Sequence, residues 1–420
     1  MDVSGSSNAR MAAMNETANT KDYWIALALA LVTTAVFFLS TKATQQHFDY
    51  TARIASALLQ GKLAMEKEPP SWLNEMVPVN GRYYSVFPLG AVVSMVPVAA
   101  LQKFKLIHNF PGRALAALIA GMSIWFLFRL STIGATSIIK RVMLSLLLIF
   151  GTWTWCNLGF GGAWQLALGL AVLGEVAALY FVLVEFRPLV AGAFFALAIG
   201  NRTEIVLCLP IFTYFLIKRI APDVTDRIVL WQKSRENHRV FILFLIFPVA
   251  LGLFTALYNY ARFGSPFDFG YARIPRLLQE PWYQHGLFSL HAIPWNAYKM
   301  LFEGLGDLPV FPFIHSYAFG CSIFLASPFL FLLFREGGPH KIAAWTAIGF
   351  LTFVLWTHGN PGGWQFSYRY AMVLLPWMFL LLLGNGPRKI SAIELSLFVV
   401  SVAINSVATY QFLWTNLIHP

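Results

Sequence analysis

Acidic side chains are scarce in this sequence: 19 Asp and Glu stand against 30 Lys and Arg in 420 residues. Charged residues of both signs make up 12% of the chain, where soluble domains carry about 25%. That leaves too little polar surface to cover a soluble fold. Cysteine is rarer still. Cys156, Cys208 and Cys321 fall in or beside apolar stretches and form no CxxC pair, so disulfides and a thiolate metal site lose support. HxxxH, HExxH and GxSxG are absent, which argues against a dedicated zinc site and a nucleophile-elbow hydrolase. There is no Lys/Arg tract and no basic-aromatic platform. The net charge of +11 therefore fits membrane topology and anionic lipid better than nucleic acid. No internal repeat is visible, so the inverted-repeat design of many secondary transporters is not supported.

Apolar residues are what the chain has, 58% of it, with a mean hydropathy of +0.62. Runs of roughly 17 to 25 apolar residues recur from end to end, the length needed to cross a ~30 Å hydrocarbon core. A barrel would show ~10-residue alternating strands instead. The sequence predicts an all-α polytopic membrane protein. Its spans fall near 23–41, 112–129, 139–156, 165–184, 189–201, 204–219, 240–260, 317–334, 342–357, 370–384 and 391–413. The pair 189–201 and 204–219 reads as a tight helical hairpin turned by Asn201 and Arg202. Residues 1–22 are polar and lack the apolar core of a signal peptide, so they read as a disordered cytoplasmic tail.

Loop 218–239 carries Lys218, Arg219, Arg227, Lys233, Arg235 and Arg239 and is cytoplasmic by the positive-inside rule. Counting back, Arg129, Lys140 and Arg141 also fall inside. If Phe87–Leu101, with Pro88 and Pro97, crossed as well, either the 42–86 loop would move inside or the N-terminus outside, so it reads as a juxtamembrane helix at the outer surface. The outcome is about eleven crossings, N-terminus inside. Two long outer loops follow, 42–111 and 261–316. They divide the chain into a membrane module over 23–260, the second loop with interfacial helices rich in Trp282, Trp295 and Phe288, and C-terminal spans over 317–420. Loops this long usually carry function.

Arg113, Arg202 and Arg369 sit at span ends on the outer side. Two readings compete: snorkelling to lipid phosphates, or bidentate binding of a phosphate ligand. Glu66, Glu68 and Glu75 lie in the polar stretch MEKEPPSWLNE and read as solvated charges. Glu204 pairs locally with Arg202, and Asp268 supports the turn GSPFDFG. Asp49, in HFDYTARIASALLQGKL, either caps the amphipathic helix after it or acts chemically. Glu175 stands alone near mid-span, where an acid is costly and needs a partner; it reads as structural or unexplained. Arg262 and Tyr84 are further site candidates.

The order of segments carries a resemblance. HFDYTARIASALLQGKL follows the first span, then YYSVFPLGAVVSMVPVAAL opens an outer helix on a Pro, then NFPGRALAALIAGMSIWFLFRL enters the next span. This resembles the GT-C superfamily of integral-membrane glycosyltransferases, which includes protein O-mannosyltransferases and the lipid A aminoarabinose transferase. The likeness covers roughly 23–220, with local matches at 258–271 and 362–376. It implies a polyprenyl-phosphate-linked sugar donor, a lipid, glycan or protein acceptor, and a site on the outer face of a bacterial plasma membrane. Asp49 is then the catalytic carboxylate, Phe87-Pro88-Leu89 the helix start and Arg113 the following Arg. Arg202 and Arg369 would clamp the donor phosphate, and His47 would position Asp49 or the acceptor. Many relatives have two adjacent acids in the first loop and some a further one later. Here Tyr50 follows Asp49 and CNLGFGGAWQ has no acid, so a divalent cation is left open. A transporter binding the same phosphates without catalysis is the alternative, and a non-catalytic scaffold a third reading.

Overall fold

The computed structural model describes residues 3–418 apart from 43–45, 135, 223, 225 and 311–312, with side chains from residue 20 onward except at 227 and 230. Its helices are α1 (Val3–Ser40), α2 (Tyr50–Leu58), α3 (Leu89–Val93), α4 (Val96–Lys103), α5 (Gly112–Leu130), α6 (Ile138–Phe150), α7 (Thr154–Gly159), α8 (Ala163–Leu183), α9 (Pro188–Asn201), α10 (Leu209–Ile220), α11 (Arg227–Glu236), α12 (His238–Phe263), α13 (Ile293–Leu301), α14 (Ile323–Ala326), α15 (Lys341–Thr357), α16 (Leu375–Gly384) and α17 (Ala392–Trp414). Two short antiparallel hairpins join them, β1 (Met76–Val79) with β2 (Arg82–Ser85) and β3 (Gly306–Asp307) with β4 (Ile314–His315).

Among the described residues, five helices are long and apolar enough to cross a membrane: Thr20–Ser40, Gly112–Ile133, Ala163–Leu183, His238–Phe263 and Ala392–Trp414. They coincide with five of the expected spans. The other expected spans are helical but shorter or broken. Gly151 ends α6 before α7 begins, and the prolines Pro210, Pro328 and Pro376 sit in the first turns of α10, of the 3-10 stretch Pro328–Phe334 and of α16. The 14 residues of α9 rise about 21 Å at 1.5 Å each, short of a ~30 Å core. α9 packs chiefly on α8 and α12 rather than on α10. The tight hairpin expected at Asn201 and Arg202 is instead an extended residue, Arg202, followed by a 3-10 turn over Thr203–Cys208. The segment read as a disordered tail continues α1 back to Val3. Its run of Ala, Arg, Met and Glu from Ala9 to Glu16 favours helix.

Burial grades across the bundle. α8 and α16 are almost wholly buried. On α12, Ile242, Ile246, Val249, Leu253, Phe254 and Leu257 are exposed, an apolar surface that water does not tolerate on a soluble monomer. The protein is a mostly helical, membrane-embedded one.

The two ends of the bundle differ. At one, Asp22 on α1 bonds Arg141 at 2.8 Å, and Glu394 on α17 holds both Lys140 (2.7 Å) and Arg335 (2.9 Å). At the other, the C-terminus of α1 receives Trp414 and Trp155 on Ser40. The 42–111 segment folds over this second end. Asn80 and Gly81 both have positive φ and turn β1 into β2, as an Asn-Gly hairpin requires. The expected juxtamembrane helix is α3 and α4. Gly90 meets Gly200 backbone to backbone, and Ser94 accepts from Asn201, so α3 is docked on the end of α9.

Candidate functional site

A cavity of about 700 Å³ opens at the end of the bundle where α1 finishes and α5 and α8 begin. Three chain segments wall it. Thr41, Lys42, His47, Phe48 and Tyr50 come from the exit of α1, Asn74 and Glu75 from before β1, and Gly363, Trp364 and Arg369 from the C-terminal third. The first turns of α5 (Gly112, Arg113) and α8 (Trp164, Gln165) complete it. A Cβ on Gly112 would lie 2.3 Å from the Gly161 carbonyl oxygen, so glycine alone lets α5 start this close to the α7–α8 turn. The Ala163 amide donates to the Phe48 carbonyl at 2.8 Å and fixes the loop after α1 to α8. Neither Pro111 nor Gly162, the N-cap residues, supplies a side-chain cap. Two positive helix ends thus border the cavity, and such ends favour anions.

Among the described residues, Glu75 is the one carboxyl side chain on the lining. It keeps some surface open to the cavity and is otherwise enclosed by protein. Enclosure pushes its pKa above the usual carboxylate value. The hydrogen bond from the Trp164 indole and the nearby charge of Arg369 oppose that rise without cancelling it. Beside it, Tyr50 donates to Asn74 Oδ1 at 3.3 Å, and burial, with the Glu75 charge second, pushes its phenol pKa up. Tyr50 is thus a neutral hydroxyl.

Arg369 is 9% exposed, and among the described residues it has no carboxylate within ion-pair distance. Its Nη1 reaches Trp364 O at 3.4 Å and its Nη2 reaches Tyr370 Oη at 3.3 Å, while Nε has no partner. Thr41 Oγ1, also buried on the lining, has no partner either. Unsatisfied buried donors are costly, and both atoms sit within the protein wall behind the lining. Arg113 donates to Phe38 O and stacks on the Phe38 ring at 3.9 Å. Lys42, Arg113 and Arg369 make the lining cationic.

The sequence candidates divide. His47, Arg113 and Arg369 line the cavity. Asp49 does not. It occupies the N-cap position of α2 without a side-chain cap bond, so capping is not its role. It bonds Arg53 Nε at 2.7 Å, one helical turn on. Arg202 and Glu204 pair at 2.8 Å, as expected. Arg202 stands one ring behind the cavity, stacked on Tyr370 (4.8 Å) whose ring Arg369 also approaches (5.1 Å). Arg262 is structural. It donates to Ser85 O and to Asn259 Oδ1 (2.6 Å) and stacks on Tyr258 at 3.9 Å, tying α12 to β2. Tyr84 packs on Phe263 in the same junction. Glu66 is a solvated charge paired with Lys62, but the same expectation for Glu75 is overturned. The flanking Trp72, Leu73, Met76 and Val77 fold inward and carry Glu75 with them. Among the described residues, no three His, Cys, Asp or Glu side chains come together as a metal cluster.

No protein-family model, curated protein or solved structure matches this chain. What the fold and cavity define is a class: a mostly helical, membrane-embedded protein with a cationic cavity at one end of its bundle and a single carboxyl group in it.

Proposed function

We propose that the protein is a GT-C-type glycosyltransferase that moves a sugar from a polyprenyl-phosphate donor to an acceptor hydroxyl. In this reading about eleven helical segments cross the bilayer, with the bilayer locally thinned around the shorter ones. The N-terminus is cytoplasmic and the cavity lies on the outer face of a bacterial plasma membrane. The observation that carries the proposal is the placement of Glu75, a lone carboxyl of raised pKa, on a lining that also carries Arg369, Arg113 and Lys42.

Glu75 takes the role that the resemblance gave to Asp49. As carboxylate it accepts the acceptor's hydroxyl proton while the oxygen bonds the anomeric carbon. The bond from that carbon to the phosphate oxygen breaks, and the electron pair leaves with polyprenyl phosphate. Arg369, Arg113 and the helix ends stabilise the charge that grows there. A raised pKa makes Glu75 a stronger base near neutral pH. No step requires a divalent cation, and none is assigned a site. A transporter would need the polar lining to continue along the bundle. Glu175, the mid-span acid, is fully buried and bonds the Trp377 indole at 2.8 Å, which supports a structural role for it.

The test is transfer from radiolabelled polyprenyl-phosphate sugars by the purified protein in lipid nanodiscs. Labelled product with wild type and its loss in Glu75→Gln supports the reading. Donor binding without any transfer across a panel of lipid, glycan and peptide acceptors would favour the transporter.

A further inference from the structure

Helix α13 exposes its aromatic side. Asn296 and Met300 are buried, whereas Trp295, Tyr298 and Phe302, spaced as one helical face, are exposed. Trp282 stacks on Trp295, Trp295 on Tyr298, and Phe288 and Leu290 add exposed apolar surface beside them. A helix that buries Asn296 and Met300 and turns three aromatics outward does not present the polar outer face that water favours.

Its position is fixed by its inner face. Asn296 Nδ2 donates to Trp356 O (3.0 Å) and His358 O (2.6 Å), and the Trp356 indole donates to Met300 Sδ (3.3 Å). These atoms are the C-terminal end of α15, whose Phe350 and Phe353 are exposed along its apolar flank. The aromatic face of α13 therefore continues the outward apolar surface of α15 at the level where that helix stops. Lys299, on the same helix, lies over the Trp295 ring at 5.1 Å and pairs with Glu303 at 2.8 Å. The face thus presents rings with their polar edges, and the one charge beside it is neutralised in a largely enclosed ion pair; exposed Trp and Tyr of this kind suit the headgroup zone better than bulk water.

We infer that α13 lies flat in the lipid headgroup region, with Trp295, Tyr298 and Phe302 turned into the bilayer. The occupant of this surface is phospholipid. The inference rests on the membrane embedding alone and stands whether or not the protein transfers sugar.

The experiment uses the full chain with its three native cysteines, all buried, in nanodiscs of phosphatidylcholine and phosphatidylglycerol. Spin labels are placed singly through Trp295→Cys, Tyr298→Cys and, as an aqueous reference on the same loop, Asp307→Cys. Collision with oxygen and with a water-soluble nickel complex reads depth. Labels at 295 and 298 are expected roughly 5–10 Å below the phosphates, with the label at 307 in water. Nickel access at 295 and 298 equal to that at 307 would overturn the inference. So would dipolar broadening between labels of two copies, which would mean that a second chain covers the face. Position 298 leaves the Trp282–Trp295 stack intact, so a folding defect confined to the 295 variant does not remove the test.

Discussion

The indole N–H of Trp164 donates to Oε2 of Glu75, joining the first turn of α8 to the segment before β1. Trp164 also packs its ring on Phe87 at 4.1 Å. One side chain thus places the cavity's only carboxyl group and anchors it to the bundle. A carboxylate so held is oriented but still poorly solvated, and this combination sets up the first expected outcome.

Glu75→Gln should lower turnover by about 10²- to 10⁴-fold, the usual worth of a general base, with little change in donor KM. The same change should raise stability wherever the wild-type Glu75 is ionised. Folding raises the Glu75 pKa, so the folded state holds the proton more tightly than the unfolded one. The stabilisation from that proton is complete below the unfolded carboxylate value of about 4.3 and is lost as pH rises through the raised value. Gln has no proton to lose. Thermal unfolding from pH 4 to 8 should show the wild type falling relative to the variant, and a wild-type curve parallel to the variant's would contradict the assigned shift.

Asp49→Asn should separate the two carboxyl groups. Asp49 is buried, but its partner Arg53, one turn away, is partly exposed and can turn to water. Asn keeps the shape and an acceptor oxygen, so the loss should match that of an exposed pair, about 0.2–1 kcal/mol. Turnover should stay within a few-fold of wild type and stability within about 1 kcal/mol. Loss of transfer as deep as that of Glu75→Gln would return the base to Asp49.

The contrast between these acids shows what the sequence can and cannot convey. Helical periodicity is a local property, and five of the expected spans appear as helices long enough to cross a membrane. Arg113 and Arg369, placed at span ends by the same local reading, both reach the cavity lining. The Asn80-Gly81 turn was equally local, and an all-α reading passes over it. Glu75 is a different case. Its neighbours Trp72, Leu73, Met76 and Val77 are apolar, and that was the available signal. The polar run before it, MEKEPP, outweighs them when the stretch is read by composition. What makes Glu75 special is Trp164, 89 residues away, and no spacing rule encodes that contact. Asp49 is a local case by contrast: its partner Arg53 stands four residues on, the spacing of one helical turn.

Arg369→Lys should raise the donor KM about tenfold with a smaller change in kcat, since charge-assisted hydrogen bonds are worth about 1.5–3 kcal/mol and lysine cannot reproduce the planar fork. Initial rates against donor concentration would check it.

Glu394→Ala should be the most destabilising of these changes. Glu394 accepts from Lys140, which is almost fully buried, and from Arg335, and it forms a reciprocal cap with Ser391 at the start of α17. Removing it leaves the Lys140 charge buried with only the Pro387 carbonyl, 2.8 Å away, as partner. Breaking a buried pair on one side typically costs about 3–5 kcal/mol. Chemical or thermal unfolding in detergent should show a loss of that order, while Glu394→Gln, which keeps the acceptor oxygen, should lose less.

Gly112→Ala tests the wall of the cavity itself. The added methyl would meet the Gly161 carbonyl oxygen at 2.3 Å, and that oxygen belongs to a backbone turn with no flexible end to move aside. Gly161 itself has φ +63, so the turn is held in a conformation with few alternatives. The first turn of α5 must therefore shift away from α8, which destabilises by about 1–3 kcal/mol as overpacking does and displaces Arg113 and the helix end from the cavity. Donor KM should rise while Glu75 chemistry, seated on α8, keeps most of its kcat. The matched control is Gly252→Ala in α12, where an added methyl meets nothing within 4 Å. There the lost backbone freedom of the unfolded chain should leave the protein as stable as wild type or more so, by up to about 1 kcal/mol. A KM change shared by both variants would mean that glycine loss acts generally and not through the α5–α8 contact.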